Sequence, residues 1–159
     1  MPNKKEWFSE NVRKYKNELY ALAFSILRND EDVKDAIQEA LYKAYDKLDS
    51  LRDPDKFKPW LMRILDNSSY EIIMGDKKTV SINDYENTLE SSRGRYSATN
   101  ASLWDAVQSL DVKYRTVVIL FYYDDLPIKE IAKILDLKPP TVRKRLSRAR
   151  DQLKTILSP

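Results

Sequence analysis

Basic and hydroxyl side chains near the carboxyl end of the chain have the types and spacing needed for recognition chemistry. Arg143, Lys144, Ser147 and Arg148 fall on one face of a single predicted helix. The apolar residues of the same stretch fall on the opposite face: Val142, Leu146, Ala149 and Leu153. Arginine and lysine donate hydrogen bonds to O6 and N7 of guanine in the major groove. The polar face therefore predicts contact with the bases of double-stranded DNA.

The segment before this helix predicts the element that positions it. Ile128, Ile131 and Leu135 recur at helical spacing, and Ala132 is small enough for a second helix to cross closely. Asp136 stands at the turn, where aspartate adopts a left-handed backbone more readily than most residues. We therefore expect a helix-turn-helix unit, which places its second helix in the major groove. The alternative is an ordinary helical bundle with a solvated basic helix.

Composition limits the other kinds of function. The 159 residues include no cysteine and no histidine, so disulfides and cysteine zinc sites are excluded and the commonest general base is missing. We expect no enzyme activity, no metal and no cofactor. No run approaches 18 apolar residues, and residues 1–7 lack the apolar core of a signal peptide. We therefore expect a cytoplasmic protein that is not inserted in a membrane.

Charge divides the chain into two ends that suit different partners. Between Thr141 and Lys154 six basic residues stand against one acidic residue, whereas residues 30–39 carry five acidic residues against Lys34. The basic end is suited to phosphates. The acidic segment repels phosphates and therefore needs a different partner.

Apolar spacing predicts helices along most of the chain, and the presence of only two glycines favours an all-α fold. Three helices are expected in the amino-terminal half, at residues 4–27, 30–48 and 58–75. Asp30 is the expected N-cap of the second, and Leu19, Leu22, Ala23 and Ile26 are the expected buried face of the first. Two further helices, at residues 103–110 and 114–123, are expected to cover the helix-turn-helix.

The polar, Ser-rich residues in the middle of the chain predict a break between two domains. We expect a three- to four-helix bundle at residues 1–78 and a helix-turn-helix domain at residues 101–159. A flexible linker is expected at residues 79–100. The fold class is therefore all-α, with two small helical domains.

The carboxy-terminal third resembles region 4 of bacterial RNA polymerase sigma factors in the extracytoplasmic-function group of the sigma-70 family. The residues that carry this resemblance are Leu110, 114–117, 130–132, Leu135, 141–143, Arg145, Leu146, 148–150 and Leu153. The amino-terminal half is similar to region 2 of the same family. The matching residues there are Asp35, Gln38, Glu39 and Ala40, followed by Phe57, Trp60, Leu61, Ile64 and Asn67. The two motifs stand in the family's order and together cover nearly the whole chain apart from the linker.

The resemblance implies an alternative sigma factor that directs RNA polymerase to specific promoters and initiates transcription. It implies that Asp35, Gln38 and Glu39 dock on the clamp helices of the polymerase β′ subunit. Carboxylates and an amide supply the acceptors that basic, hydrogen-bond-rich helices need. The implied partners are the RNA polymerase core, promoter DNA and an anti-sigma factor.

The resemblance also implies two sets of DNA contacts. The −10 set is Asn67 and Tyr70 for exposed bases, with Lys56, Lys58, Arg63, Lys77 and Lys78 for the backbone. The −35 set is Arg143, Lys144, Ser147 and Arg148 for bases, with Thr141, Lys138 and Arg145 for phosphates. Arg115 is expected either to contact phosphate or to brace its domain. The chain departs from the family at residues 68–76, where a strongly basic run is usual, so the −10 preference does not follow from the resemblance.

Two other functions remain open on the sequence alone. A free-standing helix-turn-helix regulator would bind operators without polymerase, and it would leave Asp35, Gln38 and Glu39 unexplained. A helical adaptor or enzyme would need a constellation of pocket residues, and none is evident in the sequence.

Overall fold

The computed structural model describes residues 3–75 and 101–158, and every regular element among them is helical. The predicted all-α fold is confirmed. An amino-terminal unit contains α1 (Lys4–Lys14), α2 (Lys16–Leu27), α3 (Asp30–Asp46) and α4 (Phe57–Gly75). A carboxy-terminal unit contains α5 (Ala101–Gln108), α6 (Val112–Val118), α7 (Ile128–Leu135) and α8 (Pro139–Leu157). The predicted linker at residues 79–100 lies outside the described residues, so the domain limits stay a prediction.

The predicted helix at residues 4–27 is wrong in one respect, because it is two helices. The chain bends at Tyr15, whose backbone (φ −106°, ψ 16°) departs from helical geometry. Its N–H donates to the carbonyl of Val12 at 3.1 Å. The Tyr15 ring lies against Phe57 of α4, with centroids 6.4 Å apart. This contact with a residue distant in sequence fixes the bend, which local spacing does not reveal.

The N-cap predicted for the second helix is also wrong by one residue. Asn29 is the cap, since its side-chain oxygen accepts from the backbone N–H groups of Glu31 at 2.9 Å and Asp32 at 3.2 Å. Asp30 is the first residue of α3 instead, and it accepts a hydrogen bond from the hydroxyl of Tyr20 at 2.6 Å. The other predicted limits agree with the structure to within a few residues.

The packing of α2 joins the two units. Its expected buried face is confirmed, but Ala21, Phe24, Ser25 and Leu27 are buried as well, so the second half of the helix is covered on all sides. A helix that is apolar all round is expected in the centre of a core. One side of α2 packs on α3 and α4, and the other packs on α6 and the π-helical turn Ile119–Tyr123. The two units therefore share one core instead of lying apart on a tether.

The helix-turn-helix forms as predicted from α7 and α8. Asp136 adopts the expected left-handed backbone (φ 56°, ψ 49°), and Leu137 N–H donates to the carbonyl of Ala132 at 2.8 Å. Pro139 begins α8, where a missing N–H costs no intrahelical bond. Val142 and Leu146 are buried against the rest of the unit. This packing fixes which face of α8 points outward.

None of the helices in the described ranges is both long enough and apolar enough to cross a lipid bilayer.

Candidate nucleic-acid interface

The outward face of α8 carries the side chains predicted to read DNA bases. Arg143, Lys144, Ser147 and Arg148 are all exposed. The predicted phosphate contacts lie beside them, with Lys138 exposed and Thr141 and Arg145 half-buried. A rigid helix with one buried face presents the four readout candidates as a set, which is what entry into a major groove requires.

Arg150 belongs to the same helix but does not join this face. Its Nε donates to the hydroxyl of Tyr122 at 2.6 Å, and its guanidinium lies 5.7 Å from the centre of that ring. The basic residues of α8 therefore have two different environments: the readout candidates point outward, whereas Arg150 is bound to Tyr122 within the same unit.

The acidic candidates lie on the exposed face of α3. Asp35, Gln38 and Glu39 are exposed, while Val33, Ala36, Ala40 and Ala44 are buried on the other side. Glu39 lies 3.6 Å from Lys43, whose Nζ donates to Glu71 of α4 at 2.9 Å. The hydrogen bond to Glu71 raises the pKa of Lys43. Glu39 is thereby held in place at the edge of the acidic face.

Sequence reasoning missed Tyr42 on this surface. The side chain is 73% exposed, which is unusual for a large aromatic residue. It stands one turn after Gln38 and Glu39, so the helical spacing that selected those residues also points to Tyr42.

The base-contacting candidates of the −10 set lie on α4. Asn67 is exposed, and Tyr70 is 38% exposed. Burial of its remaining surface raises the pKa of Tyr70, and the Asp66 carboxylate raises it further, whereas Arg115 and Arg145 act in the opposite direction. Tyr70 is therefore close to two cations of the carboxy-terminal unit. Lys77 and Lys78 lie outside the described residues.

The three described cations of the −10 set are engaged by the carboxy-terminal unit. Lys56 Nζ lies 2.9 Å from Glu130 Oε1. Arg63 Nη1 donates to the carbonyl of Lys133 at 2.5 Å. Lys58 Nζ donates to the backbone carbonyl of Asp124, and it also lies 5.5 Å from the centre of the Tyr15 ring. These side chains face the other half of the protein in this structure, which no pattern in the sequence indicated.

Arg115 braces the core, which decides between the two roles that the sequence left open. Its Nε donates to the carbonyl of Ser25 at 2.8 Å and its Nη1 to that of Leu110 at 2.6 Å, all within buried surroundings. Burial lowers the pKa of Arg115 to about 10, and the neighbouring charge of Arg28 lowers it as well. The side chain has no access to a DNA phosphate here.

Two buried carboxyl groups were not expected from the sequence. Desolvation raises the pKa of Asp66 to about 7, partly offset by Arg63. Desolvation raises the pKa of Asp124 to about 8, and neither of its carboxyl oxygens has a hydrogen-bond partner among the described residues. The described parts of the chain hold no group of three or more His, Cys, Asp or Glu residues that could hold a metal ion.

The structure thus presents a basic readout face, an acidic face and three cations that contact the carboxy-terminal unit. Comparison with known proteins places the chain in a family. Residues 12–78 match the model of Sigma-70 region 2, and residues 100–153 match that of Sigma-70, region 4. The chain is 33% identical to RNA polymerase sigma factor SigV of Bacillus subtilis over 141 residues, covering 87% of this chain and 83% of that protein. It is also 33% identical to the ECF RNA polymerase sigma factor SigW of the same organism, covering 94% of this chain and 88% of that protein.

Solved structures share the fold. The sigma factor RpoE of Bartonella quintana, in complex with the anti-sigma factor NepR, superposes with a TM-score of 0.72 at 23% identity, covering 94% of this chain and 96% of that one. CnrH, in complex with the cytosolic domain of CnrY, gives a TM-score of 0.68 at 24% identity, covering 98% and 90%. Fold, sequence and the order of the two matched regions agree, and the chain belongs to the extracytoplasmic-function group of the sigma-70 family of RNA polymerase sigma factors.

Proposed function

We propose that this sigma factor, which directs RNA polymerase to specific promoters, divides its work between two surfaces at opposite ends of the chain. The amino-terminal unit docks on the core enzyme through α3 and contacts the −10 element through α4. The carboxy-terminal unit reads the −35 element through α8. The observation that carries this division is the coexistence of an exposed acidic face on α3 and an exposed basic face on α8 in one chain.

Docking on the core enzyme is assigned to Asp35, Gln38 and Glu39, with Tyr42 beside them. The three polar side chains offer acceptors to the basic clamp helices of the β′ subunit. An exposed tyrosine next to charged contacts has the character of an interface hot spot, because it buries a large apolar ring on binding. The support is the shared exposure of all four residues on one helix.

Reading of the −35 element is assigned to Arg143, Lys144, Ser147 and Arg148, with Lys138, Thr141 and Arg145 on phosphates. Each bidentate contact to a base contributes roughly 1–3 kcal/mol of discrimination, while phosphate contacts position the helix without specifying a sequence. The family resemblance places Lys144 where serine is common, so this chain is expected to prefer its own −35 sequence.

Contact with the −10 element is assigned to the α4 side of the amino-terminal unit. Asn67 offers hydrogen bonds and Tyr70 a ring for stacking on unstacked bases. Lys56, Lys58 and Arg63, together with Lys77 and Lys78, would hold the phosphate backbone. Exposure of Asn67 and partial exposure of Tyr70 support the first part of this assignment.

The chain itself performs no chemistry in this proposal, because nucleotide addition belongs to the polymerase. Its place is the cytoplasm, where polymerase and promoters are. RpoE was solved in complex with the anti-sigma factor NepR, and CnrH in complex with the cytosolic domain of CnrY. We extend to this chain the expectation of an anti-sigma factor as its regulator.

The docking assignment is tested by measuring affinity for purified core polymerase. The double variant Gln38→Ala with Glu39→Ala should weaken core binding at least tenfold, since about 1.4 kcal/mol corresponds to a factor of ten. The control is Glu31→Ala in the first turn of the same helix, which should leave affinity near wild type. Equal affinities of the double variant and wild type would remove α3 from the docking surface.

A free-standing regulator is not favoured, because the chain matches region 2 as well as region 4. Such a protein would have no use for the α3 face. It would bind a specific duplex tightly without polymerase, and gel-shift assays with and without core enzyme separate the two functions.

A further inference from the structure

A cleft between the two units has no role in the proposed function. Its volume is about 330 Å³, which lies at the lower end of the range for small-molecule sites. Its walls come from α2, α3 and the π-helical turn Ile119–Tyr123 of the carboxy-terminal unit. Small-molecule sites occur preferentially where two such units meet, so the chemistry of the lining side chains indicates what the cleft can bind.

Two lysines line this cleft from different helices. Lys16 begins α2, and Lys34 lies in the second turn of α3. Both residues are exposed, and neither makes an ion pair or a side-chain hydrogen bond with another described residue. Lys34 is also the one basic residue among the acidic residues at positions 30–39. Two unpaired ammonium groups at one cleft suit an anionic group such as a phosphate.

Aromatic and aliphatic side chains form another part of the wall. Tyr20 is half-buried and stacks on Phe24, with ring centroids 5.7 Å apart and planes inclined by 15°. Tyr123 enters from the carboxy-terminal unit and is 41% exposed. Val33 and Ile37 of α3 add apolar surface. A flat ring bound here would remove this apolar surface from water and pack against the exposed ring of Tyr123.

One acidic residue limits where an anionic group can bind in the cleft. Asp30 accepts a hydrogen bond from the hydroxyl of Tyr20 at 2.6 Å, and both residues line the cleft. Lys16 lies one turn before Tyr20 on α2, and Lys34 lies one turn after Asp30 on α3. Each lysine is therefore displaced along its helix from the carboxylate, which places the favourable position for an anion beyond the pair formed by Tyr20 and Asp30.

The phenol of Tyr123 adds no negative charge to the cleft near neutral pH. Burial raises the pKa of Tyr123, and the charges of Asp124 and Glu18 raise it further. The ring therefore stays neutral and provides a stacking surface beside the cationic part of the cleft.

We propose that this cleft binds a nucleoside monophosphate, with its phosphate on Lys16 and Lys34 and its base against the ring of Tyr123. A nucleotide joins a flat ring and an anion in one small molecule, which matches the two parts of the wall. Asn17 also lines the cleft, and its amide offers a donor and an acceptor to the sugar or the base. Since no residue of the cleft belongs to the docking, −10 or −35 sets, the proposal does not depend on the proposed function.

The test is isothermal titration calorimetry of the full chain with AMP, GMP, CMP and UMP in a buffer of about 50 mM salt. At least one nucleotide should bind with a Kd below about 1 mM. The matching nucleoside and inorganic phosphate should each bind at least about tenfold more weakly than that nucleotide, because each offers only one of the two required groups.

Three single variants remove the proposed contacts one at a time. Lys16→Gln and Lys34→Gln should each weaken nucleotide binding about fivefold, because an exposed ion pair contributes at most about 1 kcal/mol. Tyr123→Ala should also weaken it about fivefold through loss of the stacking ring. Because both lysines are exposed, their variants should unfold at the wild-type temperature when no ligand is present.

Matched controls lie next to the cleft but do not line it. Lys47→Gln removes an exposed lysine just after α3, and Tyr122→Ala removes the exposed tyrosine beside Tyr123. Both controls should bind the nucleotide with wild-type affinity. Equal losses in Lys34→Gln and Lys47→Gln would show a general effect of charge and would overturn the proposal.

Two further results would refute the cleft as a nucleotide site. The first is that none of the four nucleotides binds at about 5 mM, or that inorganic phosphate binds as tightly as the best of them. The second is that Lys16→Gln, Lys34→Gln and Tyr123→Ala all bind the nucleotide as wild type does, which would place the bound molecule elsewhere on the protein.

Discussion

Asp124 offers the sharpest test of the packing between the two units, because its carboxyl group is buried with no hydrogen-bond partner among the described residues. The residue is fully buried in the loop before α7, beside the Lys58 contact. Desolvation raises its pKa from an ordinary 3.8 to about 8, the charge of Lys58 lowers it, and Glu18 of α2 raises it. The folded state therefore binds a proton at pH values where the unfolded chain has lost it.

The sign of the pH dependence follows from that difference. Below about pH 4 the group is protonated in both states and contributes nothing to the pH dependence. As the pH rises through the window from about 4 to about 8, folding retains a proton that the unfolded state releases, so stability falls. About four pH units at about 1.4 kcal/mol each set an upper bound of roughly 6 kcal/mol. Since relaxation and water entry reduce such penalties, we expect a loss of about 2–4 kcal/mol.

Asp124→Asn replaces the carboxyl group with a neutral group of the same shape. The variant should gain stability relative to wild type as the pH rises from 5 to 8, and the gap should stop growing above about pH 8. Desolvation also raises the pKa of Asp66, to about 7. Because Asp66 is present in both proteins, its effect on the pH dependence of stability cancels in the difference between them. Urea unfolding followed by circular dichroism at several pH values gives the gap directly.

The matched control is Asp125→Asn, at the exposed neighbouring residue. Asp125 has a φ of 57°, a conformation that asparagine also tolerates, so the substitution causes no strain. The free energy of unfolding of Asp125→Asn should change with pH in the same way as that of wild type. If the difference in free energy of unfolding between Asp124→Asn and wild type is the same from pH 5 to 8, whatever its size, then burial does not raise the pKa of Asp124 as described.

Three further substitutions probe the fold and the docking face. Arg115→Met should lower the free energy of unfolding by about 2–5 kcal/mol in urea titrations, because two buried carbonyls lose their donor. The control Arg52→Met, at an exposed residue, should change the free energy of unfolding little. A similar change in both variants would exclude the bracing role of Arg115. Tyr42→Ala should weaken core-polymerase binding by about 2 kcal/mol, measured by fluorescence anisotropy, and should leave the thermal unfolding temperature unchanged. Unaltered affinity would exclude Tyr42 from the interface. Asn29→Ala should lower the stability measured by thermal unfolding by about 1 kcal/mol, because α3 loses its cap. Asn29→Ser keeps a side-chain oxygen and should retain most of that stability. Equal losses in the two variants would show that the side-chain oxygen does not cap α3.

Local sequence signals predicted the helix-turn-helix well. The left-handed turn at Asp136, the prolines at the start of α8 and the burial of Val142 and Leu146 each depend on a residue and its near neighbours. The exposed faces of α3 and α8 follow from the same helical periodicity. These parts of the fold and of the site depend on residues that are close to one another both in sequence and in space.

The remaining features depend on contacts between residues far apart in the chain. Arg115 and Ser25 are separated by 90 positions, and Lys56 and Glu130 by 74. Periodicity within a helix carries no information about such pairs. One signal was present, since apolar residues on every side of α2 between Leu19 and Leu27 indicate a helix covered from two directions. That pattern predicts burial but does not say that the carboxy-terminal unit supplies the cover.

In the proposed function, one surface of this chain binds the polymerase while another selects the promoter. The most direct measurement is transcription by core polymerase without any other sigma factor, on linear templates with randomised −35 and −10 segments, followed by sequencing of the transcribed templates. We expect discrete start sites that appear only when the chain is added, with enrichment of two spaced sequence boxes. With Arg148→Ala, the enriched sequence should change only in the upstream box. Transcription that shows no start-site selection in the presence of the chain would contradict it.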